Sequence, residues 1–130
     1  MLQPIMPPEL PAPPARYAHA VLVTNPSRWL HTAGVVAIDR DGSVPDGVAA
    51  QARVIWQNIA TLLAAAGMSA DDVVSVTTYV VAGAMHTGLP EAMAERDAFM
   101  QGRIVASTLL TVPALVRPEW LIEIAVVAAN

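Results

Sequence analysis

The sequence contains no cysteine and no lysine, and these two absences exclude several kinds of chemistry. All seven basic residues are arginines. Without lysine, the chain cannot form a Schiff base with a substrate. Without cysteine, it cannot form a disulfide, supply a thiolate nucleophile or bind zinc through sulfur.

Basic charge is scarce as well. The formal net charge is −4 and the isoelectric point is about 5.1. Proteins that bind nucleic acids usually carry a basic patch, and none is visible here. No apolar run reaches the roughly 18 residues that a membrane-spanning helix needs, and the start of the chain lacks the features of a signal peptide. We therefore expect a cytoplasmic protein with no nucleic-acid or membrane partner.

Apolar residues, in contrast, are abundant. They make up 55% of the 130 residues, and the mean hydropathy is +0.48, which is high for a small monomer. A chain of this length forms one domain. Its surplus apolar surface needs covering, so the composition predicts a homo-oligomer.

Proline distinguishes the first 15 residues from the rest. Six prolines fall in this segment: Pro4, Pro7, Pro8, Pro11, Pro13 and Pro14. Such a segment can form neither a helix nor a central strand. We predict an extended N-terminal arm over residues 1–15, followed by a single domain over residues 16–130.

The spacing of apolar residues predicts the elements of that domain. Strands are predicted over residues 17–24, 29–36, 73–81, 104–112 and 120–129. The first two are expected to form a hairpin, and Gly34 predicts a bulge or a close backbone approach. A helix is predicted from a cap at Asp46 to about residue 66, with Gln51 away from its buried face. A second helix is predicted over residues 87–101.

This order of elements, ββαβαββ, predicts an α+β fold. Both helices should lie on one face of a mixed sheet. The other face of the sheet is then left for another subunit. The last two strands are apolar on both faces, which is typical of strands buried on both sides.

One charged residue, Glu123, interrupts the last apolar run. Burying an unpaired carboxylate costs several kcal/mol. We therefore expect Glu123 either to form an ion pair or to act in catalysis. In one interpretation it holds a water molecule for general acid–base catalysis. In the other it forms a structural ion pair with Arg103, with Arg117 or with an arginine of another subunit.

An ordered set of short motifs over residues 16–128 resembles the RidA/YjgF family, once described as L-PSP endoribonucleases. The motifs are residues 17–20, 32–34, 48–53 (VAAQAR) with Asn58, 65–67, 72–74 with Thr77 and Thr78, 107–108 and 122–124. The resemblance implies a chorismate-mutase-like fold and a homotrimer whose sheets line a central barrel. It also implies three clefts between subunits, each binding a small carboxylate-bearing molecule. Well-known members hydrolyse enamines and imines such as 2-aminoacrylate without a metal or an organic cofactor.

The resemblance also implies site residues. The catalytic residues would be Tyr17 and Glu123. The substrate-binding positions that the resemblance implies would be Ala33, Gly34, Met93 and Ala106. Ser107 and Thr108, which follow Ala106, are candidate anion-binding hydroxyls, and Arg103, three residues before Ala106, is a candidate replacement clamp. Three of the implied positions depart from the family pattern: Ala33 replaces a serine, Met93 replaces an asparagine, and Ala106 replaces the arginine that clamps the substrate carboxylate. No metal is expected, since the three histidines and the carboxylates show no ligand spacing.

The missing clamp changes the expected ligand, because a small neutral residue cannot replace a bidentate arginine. The resemblance and the missing clamp together imply a homotrimer that binds a small metabolite between subunits and has diverged from imine and enamine hydrolysis toward a less charged substrate. In one alternative the protein is an active imine deaminase with Arg103 or Arg117 as clamp, although a residue three positions from Ala106 faces the other side of a strand. In another it is a non-catalytic trimeric ligand-binding or chaperone-like protein. Whether the protein is an enzyme stays open, and its acidic charge argues against an endoribonuclease.

Overall fold

Two long strands rich in valine lie at the centre of the fold. The computed structural model describes residues 1–130. Its strands are β1 (Leu2–Ile5), β2 (Ala20–Val23), β3 (Trp29–His31), β4 (Val35–Val36), β5 (Val73–Val81), β6 (Ala106–Val112) and β7 (Ile122–Ala129). Its helices are α1 (Val48–Ala65) and α2 (Leu89–Met100). No helix has the length and hydrophobicity that crossing a membrane would require.

The main sheet has the strand order β3-β7-β5-β6, and β4 also pairs with β7. β5 and β6 run parallel, whereas β3, β4 and β5 all pair antiparallel with β7. β6 is therefore an edge strand, joined on its outer side only by a bridge between Ala18 and Ala106. The predicted α+β fold with a mixed sheet is confirmed.

The core lies between the sheet and the two helices. Alternate residues of the central strands, such as Val76, Val80 and Ile124, are fully buried against Ile55 and Ile59 of α1. Each such side chain stabilises the fold by about 1.5–3 kcal/mol. Trp56 of α1 stacks on Phe99 of α2 with ring centroids 4.7 Å apart, and this contact packs the two helices against each other.

The opposite side of the sheet carries no helix, and we call it the open face. Strand register assigns to it the residues Trp29, His31, Ser75, Thr77, Tyr79, Ala106, Thr108, Leu110, Glu123, Ala125 and Val127. Two large apolar residues of this face, Trp29 and Leu110, are 51% and 44% exposed. The open face is thus partly apolar and uncovered within one chain.

The predicted hairpin of the first two strands is wrong. β2 pairs with β1, and β3 pairs with β7. Local turn residues favoured the hairpin, but pairing with β7 places Leu30 opposite the buried Ala128 and is reinforced where Ser27 and Arg28 donate to the Asn130 carbonyl. The predicted second strand is also split. Between its halves, Thr32 donates its N–H to the Val126 carbonyl and accepts the Val126 N–H through its hydroxyl.

Two predictions about α1 also fail. The residue before the helix is Gly47 at φ +88°, so Asp46 does not cap it. Gln51 is buried, at 1% exposure, instead of facing away. Its amide nitrogen donates to the carbonyls of Pro45 and Glu119, and its amide oxygen accepts the N–H of Leu121. A buried amide is tolerated when its donors and acceptor are satisfied in this way.

The proline-rich arm contains a strand that the composition did not predict. β1 pairs with all four residues of β2 in a small sheet of its own. Pro4 fits there because a two-stranded ribbon leaves one side of each strand unpaired. Further along the arm, the Pro11 carbonyl lies 2.9 Å from Nε2 of His19. The division of the chain at residue 15 stays a prediction.

Candidate functional site

Glu123 packs its carboxylate against the backbone of Gly34. Gly34 lies in the break before β4, and Glu123 lies in β7 opposite Val36. A Cβ atom added to Gly34 would overlap the side-chain carboxyl group of Glu123. The close approach that Gly34 predicted is confirmed, and a larger residue here would displace the carboxyl group of Glu123.

Glu123 makes no ion pair within the chain. Arg103 pairs with Asp71, and Arg117 lies 4.0 Å from Glu119. The remaining two ion pairs join Arg53 to Glu95 and Arg96 to Asp97. Neither Arg103 nor Arg117 is therefore the partner of Glu123, which leaves an arginine of another subunit or a role in binding and catalysis.

A pocket of about 460 Å³ lies at the outer edge of β6, and we call it the edge pocket. Residues before β2 run alongside the start of β6, where Ala18 donates its N–H to the Val105 carbonyl at 2.9 Å. Helix α2 closes the other side. The lining residues are Pro14, Ala15, Arg16, Tyr17, Met93, Arg96, Asp97, Ser107 and Leu109. The structure thus brings together three of the predicted site residues, Tyr17, Met93 and Ser107.

The edge pocket also holds Arg96, a residue that sequence reasoning missed. Arg96 is only 9% exposed. Its Nε and Nη2 donate to one Asp97 carboxylate oxygen at 3.3 and 3.1 Å. Its Nη1 lies 3.4 Å from the Ser107 hydroxyl. These contacts offset part of the cost of burying the guanidinium.

A sequence signal for Arg96 did exist. The buried residues of α2 are Ala92, Arg96 and Met100, spaced four apart along one helical face. A charge between two buried positions at this spacing points inward instead of into solvent. The helix as a whole is only weakly amphipathic, which concealed the pattern.

Arg103 lies elsewhere. With Asp71 it lines a different pocket, of about 330 Å³, beside the apolar residues Leu2, Val21 and Val73. It is not among the residues that line the edge pocket with Tyr17 and Ser107.

The remaining predicted residues belong to the open face or its border. Ala106 and Thr108 are register partners of Ser75 and Thr77, and Ala33 directly precedes Gly34. Within one chain the structure therefore brings the predicted site residues together in two groups. One contains Gly34 and Glu123, and the other contains Tyr17, Met93 and Ser107. Ala106 and Thr108 share the open face with Glu123 but lie across β5 from β7.

No group of three or more histidine, aspartate or glutamate side chains is arranged to hold a metal ion. The chemistry that the two groups offer comes from a carboxylate, a phenol, a hydroxyl and guanidinium groups. Such groups can bind a small polar molecule and orient a water molecule.

The chain is therefore a small α+β domain, with two helices on one face of a mixed sheet, an uncovered opposite face and a pocket at the edge strand. The sequence matches the family described as Endoribonuclease L-PSP over residues 8–130. The chain belongs to this family, which includes proteins called YjgF and Rid, and the resemblance seen in the sequence is confirmed.

Solved structures support this assignment. YyfB of Yersinia pestis, a Rid-family protein of unknown function, is 33% identical, with a TM-score of 0.83 over 99% of this chain and 98% of that one. Rv2704 of Mycobacterium tuberculosis, from the YjgF/YER057c/UK114 family, is 29% identical, with a TM-score of 0.64 over 88% and 86% of the chains. The YjgF gene product of E. coli is 26% identical, with a TM-score of 0.70 over 98% of each chain. No curated protein matches this sequence.

Proposed function

We propose that this protein is a homotrimer that binds a small metabolite in clefts between subunits. The observation that carries the proposal is the division of the predicted site into two groups that do not share a pocket within one chain. If the edge pocket of one subunit meets the Gly34–Glu123 contact of the next, the two groups form one cleft.

The open face supports the same assembly. Trp29 and Leu110 are large apolar residues that are about half exposed there. They lie on opposite edge strands of a face that also carries Ala106, Ala125 and Val127, and an uncovered apolar face is typical of an interface. A trimer that closes the three open faces around a central axis covers these side chains without adding a second domain.

The chemistry that fits this cleft is cofactor-free hydrolysis of a C=N bond. Glu123 orients a water molecule that adds to the carbon of an imine, and Tyr17 donates a hydrogen bond to the ligand. Collapse of the adduct breaks the C–N bond, so an imine and water become a carbonyl compound and ammonia. Ala33, Met93 and Ala106 replace polar family residues, which favours a ligand with a more apolar body than 2-aminoacrylate.

The first test is an imine hydrolysis assay combined with light scattering. An amino-acid oxidase generates a panel of imines, and semicarbazide competes for them. We expect a trimer at micromolar concentration and faster hydrolysis of imines with bulky apolar side chains. The Glu123→Gln variant should keep the assembly but lose turnover. A monomeric protein would contradict the proposal, as would a Glu123→Gln variant with full activity.

Two alternatives have distinct outcomes in the same assay. For an imine deaminase that uses Arg103 as clamp, Arg103→Ala would abolish turnover of small imines. The contact of Arg103 with Asp71, away from Tyr17, does not favour this alternative. For a non-catalytic binding protein, the wild type would be inert on every imine, and Ala106→Arg would not restore activity.

A further inference from the structure

We propose that Arg96 of α2, assisted by Arg16, binds a carboxylate group of the ligand in the edge pocket. The ligand would then be a small molecule with an apolar body and a single carboxylate. The inference rests on the proposed function, because it takes the edge pocket as part of the ligand cleft. It assigns anion binding to a helix, whereas the family resemblance places the clamp at position 106 of β6, where this chain has alanine.

The hydrogen bonds of Arg96 leave part of its guanidinium available. An arginine has five N–H donors. Two of them are directed to Asp97 and one to Ser107. Two donors therefore have no acceptor in the chain, on a group that lines the pocket and is held in place by its other contacts. A fixed guanidinium loses little conformational entropy when it binds a carboxylate.

Ser107 and Tyr17 add further donors to the same pocket. The Ser107 oxygen accepts from Arg96, so its own hydroxyl hydrogen remains to donate to an anion. Tyr17 also lines the pocket and carries a phenol hydroxyl. Hydrogen bonds between a guanidinium and a carboxylate are about twice as strong as neutral ones, and neutral donors beside them fix the orientation of the anion.

Charge in the edge pocket favours a monoanion. Arg16 is exposed and takes part in none of the four ion pairs of the chain. Arg16 and Arg96 contribute two positive charges, and Asp97 contributes one negative charge. The lining thus carries one net positive charge, in a protein whose formal net charge is −4. Such a local field attracts small anions.

The rest of the lining accommodates an apolar group. Pro14, Ala15, Met93 and Leu109 are all apolar. The volume of about 460 Å³ lies within the usual range for small-molecule sites. Ser107 lies on the helix side of β6, opposite the buried Val76, whereas Ala106 belongs to the open face. The anion is therefore held one residue along β6 and on its other side from the position that the family clamp occupies.

The test uses phenylacetate and phenylacetamide, which have nearly the same shape but differ in charge. Isothermal titration calorimetry on the purified protein in its native assembly gives both affinities. We expect phenylacetate to bind about tenfold or more tightly than phenylacetamide, as charged hydrogen bonds require. Arg96→Gln should remove this preference, and Arg16→Gln should weaken it only a few-fold because Arg16 is exposed.

Two further variants keep the test decisive. In Arg96→Gln the carboxylate of Asp97 loses its partner, so the double variant Arg96→Gln/Asp97→Asn removes both charges together. Arg53→Gln is the matched control, because it removes an arginine that pairs with Glu95 of α2 at 2.9 Å outside the pocket. It should bind both compounds as the wild type does. A folded double variant that keeps the full wild-type preference for phenylacetate would overturn the inference, as would a wild type with no preference.

The inference and the proposed function fail in different ways. A monomer whose preference for phenylacetate depends on Arg96 would refute the intersubunit cleft and leave Arg96 as the anion-binding residue. A trimer that hydrolyses imines with equal activity in the wild type and in Arg96→Gln would support the cleft and refute the role of Arg96.

Discussion

The charges of Glu123 and Arg96 are both partly withdrawn from solvent, but the two sites are built in opposite ways. Glu123 rests on the backbone of Gly34 and has no ion-pair partner in the chain. Arg96 is more deeply buried and is paired with Asp97 and Ser107. The first site therefore leaves a carboxylate without an ion-pair partner in the chain. The second holds a guanidinium in a set orientation.

The two sites also differ in how far apart their parts lie in the sequence. Gly34 and Glu123 meet only after β4 has paired with β7, whereas residues 96, 97 and 107 lie on α2 and β6, which follow each other in the chain. We expect substitutions around Glu123 to act through packing and backbone geometry. Substitutions around Arg96 should act through charge.

The largest expected effect concerns Gln51, which holds the segment before β7 that carries Glu123. Replacing Gln51 with leucine leaves the carbonyls of Pro45 and Glu119 and the N–H of Leu121 without their partner. At about 1–3 kcal/mol for each buried group left unpaired, we expect a loss of roughly 3 kcal/mol in the free energy of unfolding by urea. Gln57→Leu, on the exposed side of α1, is the control. An unchanged unfolding midpoint for Gln51→Leu would show that water replaces these hydrogen bonds.

Next in size is Gly34→Ala, which tests the contact directly. The added Cβ overlaps the Glu123 carboxyl group, so the side chain or the strand must move, at a cost of about 1–3 kcal/mol. The double variant Gly34→Ala/Glu123→Ala should recover most of this loss in urea denaturation. Gly83→Ala is a suitable control because nothing lies within 4 Å of its added Cβ. Additive losses in the double variant would contradict the contact.

Asp97→Ala should have a smaller effect on the Arg96 site. It leaves the buried guanidinium without its carboxylate, but Asp97 itself is 38% exposed and partly screened. We expect a loss of about 1–2 kcal/mol in unfolding free energy. Arg96→Met/Asp97→Ala should be more stable than Asp97→Ala, because an apolar side chain tolerates burial. The opposite order would show that Asp97 matters for another reason.

The smallest effect is expected for Glu123→Gln. Because Glu123 has no ion-pair partner in the chain, loss of its charge should change the unfolding free energy by less than about 0.5 kcal/mol. Unfolding is measured at a concentration where light scattering shows a monomer, so that only the single chain is tested. A loss of unfolding free energy similar to that of Asp97→Ala would show that Glu123, like Arg96, stabilises the chain through its charge.

Features that deviate from a regular pattern were predictable from the sequence, and features that follow from the final packing were not. Glu123 was found because a charge interrupts an apolar run, and Gly34 because glycine is unusual within a strand. The order of the elements followed from helical and strand spacing. The partner of β3 could not be predicted, since it depends on competition between a local turn and a strand almost 100 residues away.

Gln51 and Arg96 were missed for a related reason. Both are polar residues on helices, and polar residues on helices usually face solvent. Burial of Gln51 depends on backbone groups of the loop before α1 and of the distant segment before β7, which only the folded chain brings together. Burial of Arg96 depends on Asp97 and on Ser107 across the helix–strand contact. The spacing of Ala92, Arg96 and Met100 was informative, but its meaning required knowledge of which face of α2 meets the sheet.

The position of β6 at the edge of the sheet also bears on how the purified protein behaves. Beyond Ala106 its outer side has no partner strand, and both Leu109 and Leu110 are substantially exposed. Such an edge can add a strand from any other chain and so begin aggregation. Dilution usually protects a protein from aggregation, but dilution of the proposed trimer would release single subunits and uncover this edge. If the trimer forms, we therefore expect storage at high concentration to preserve the protein better than storage at low concentration.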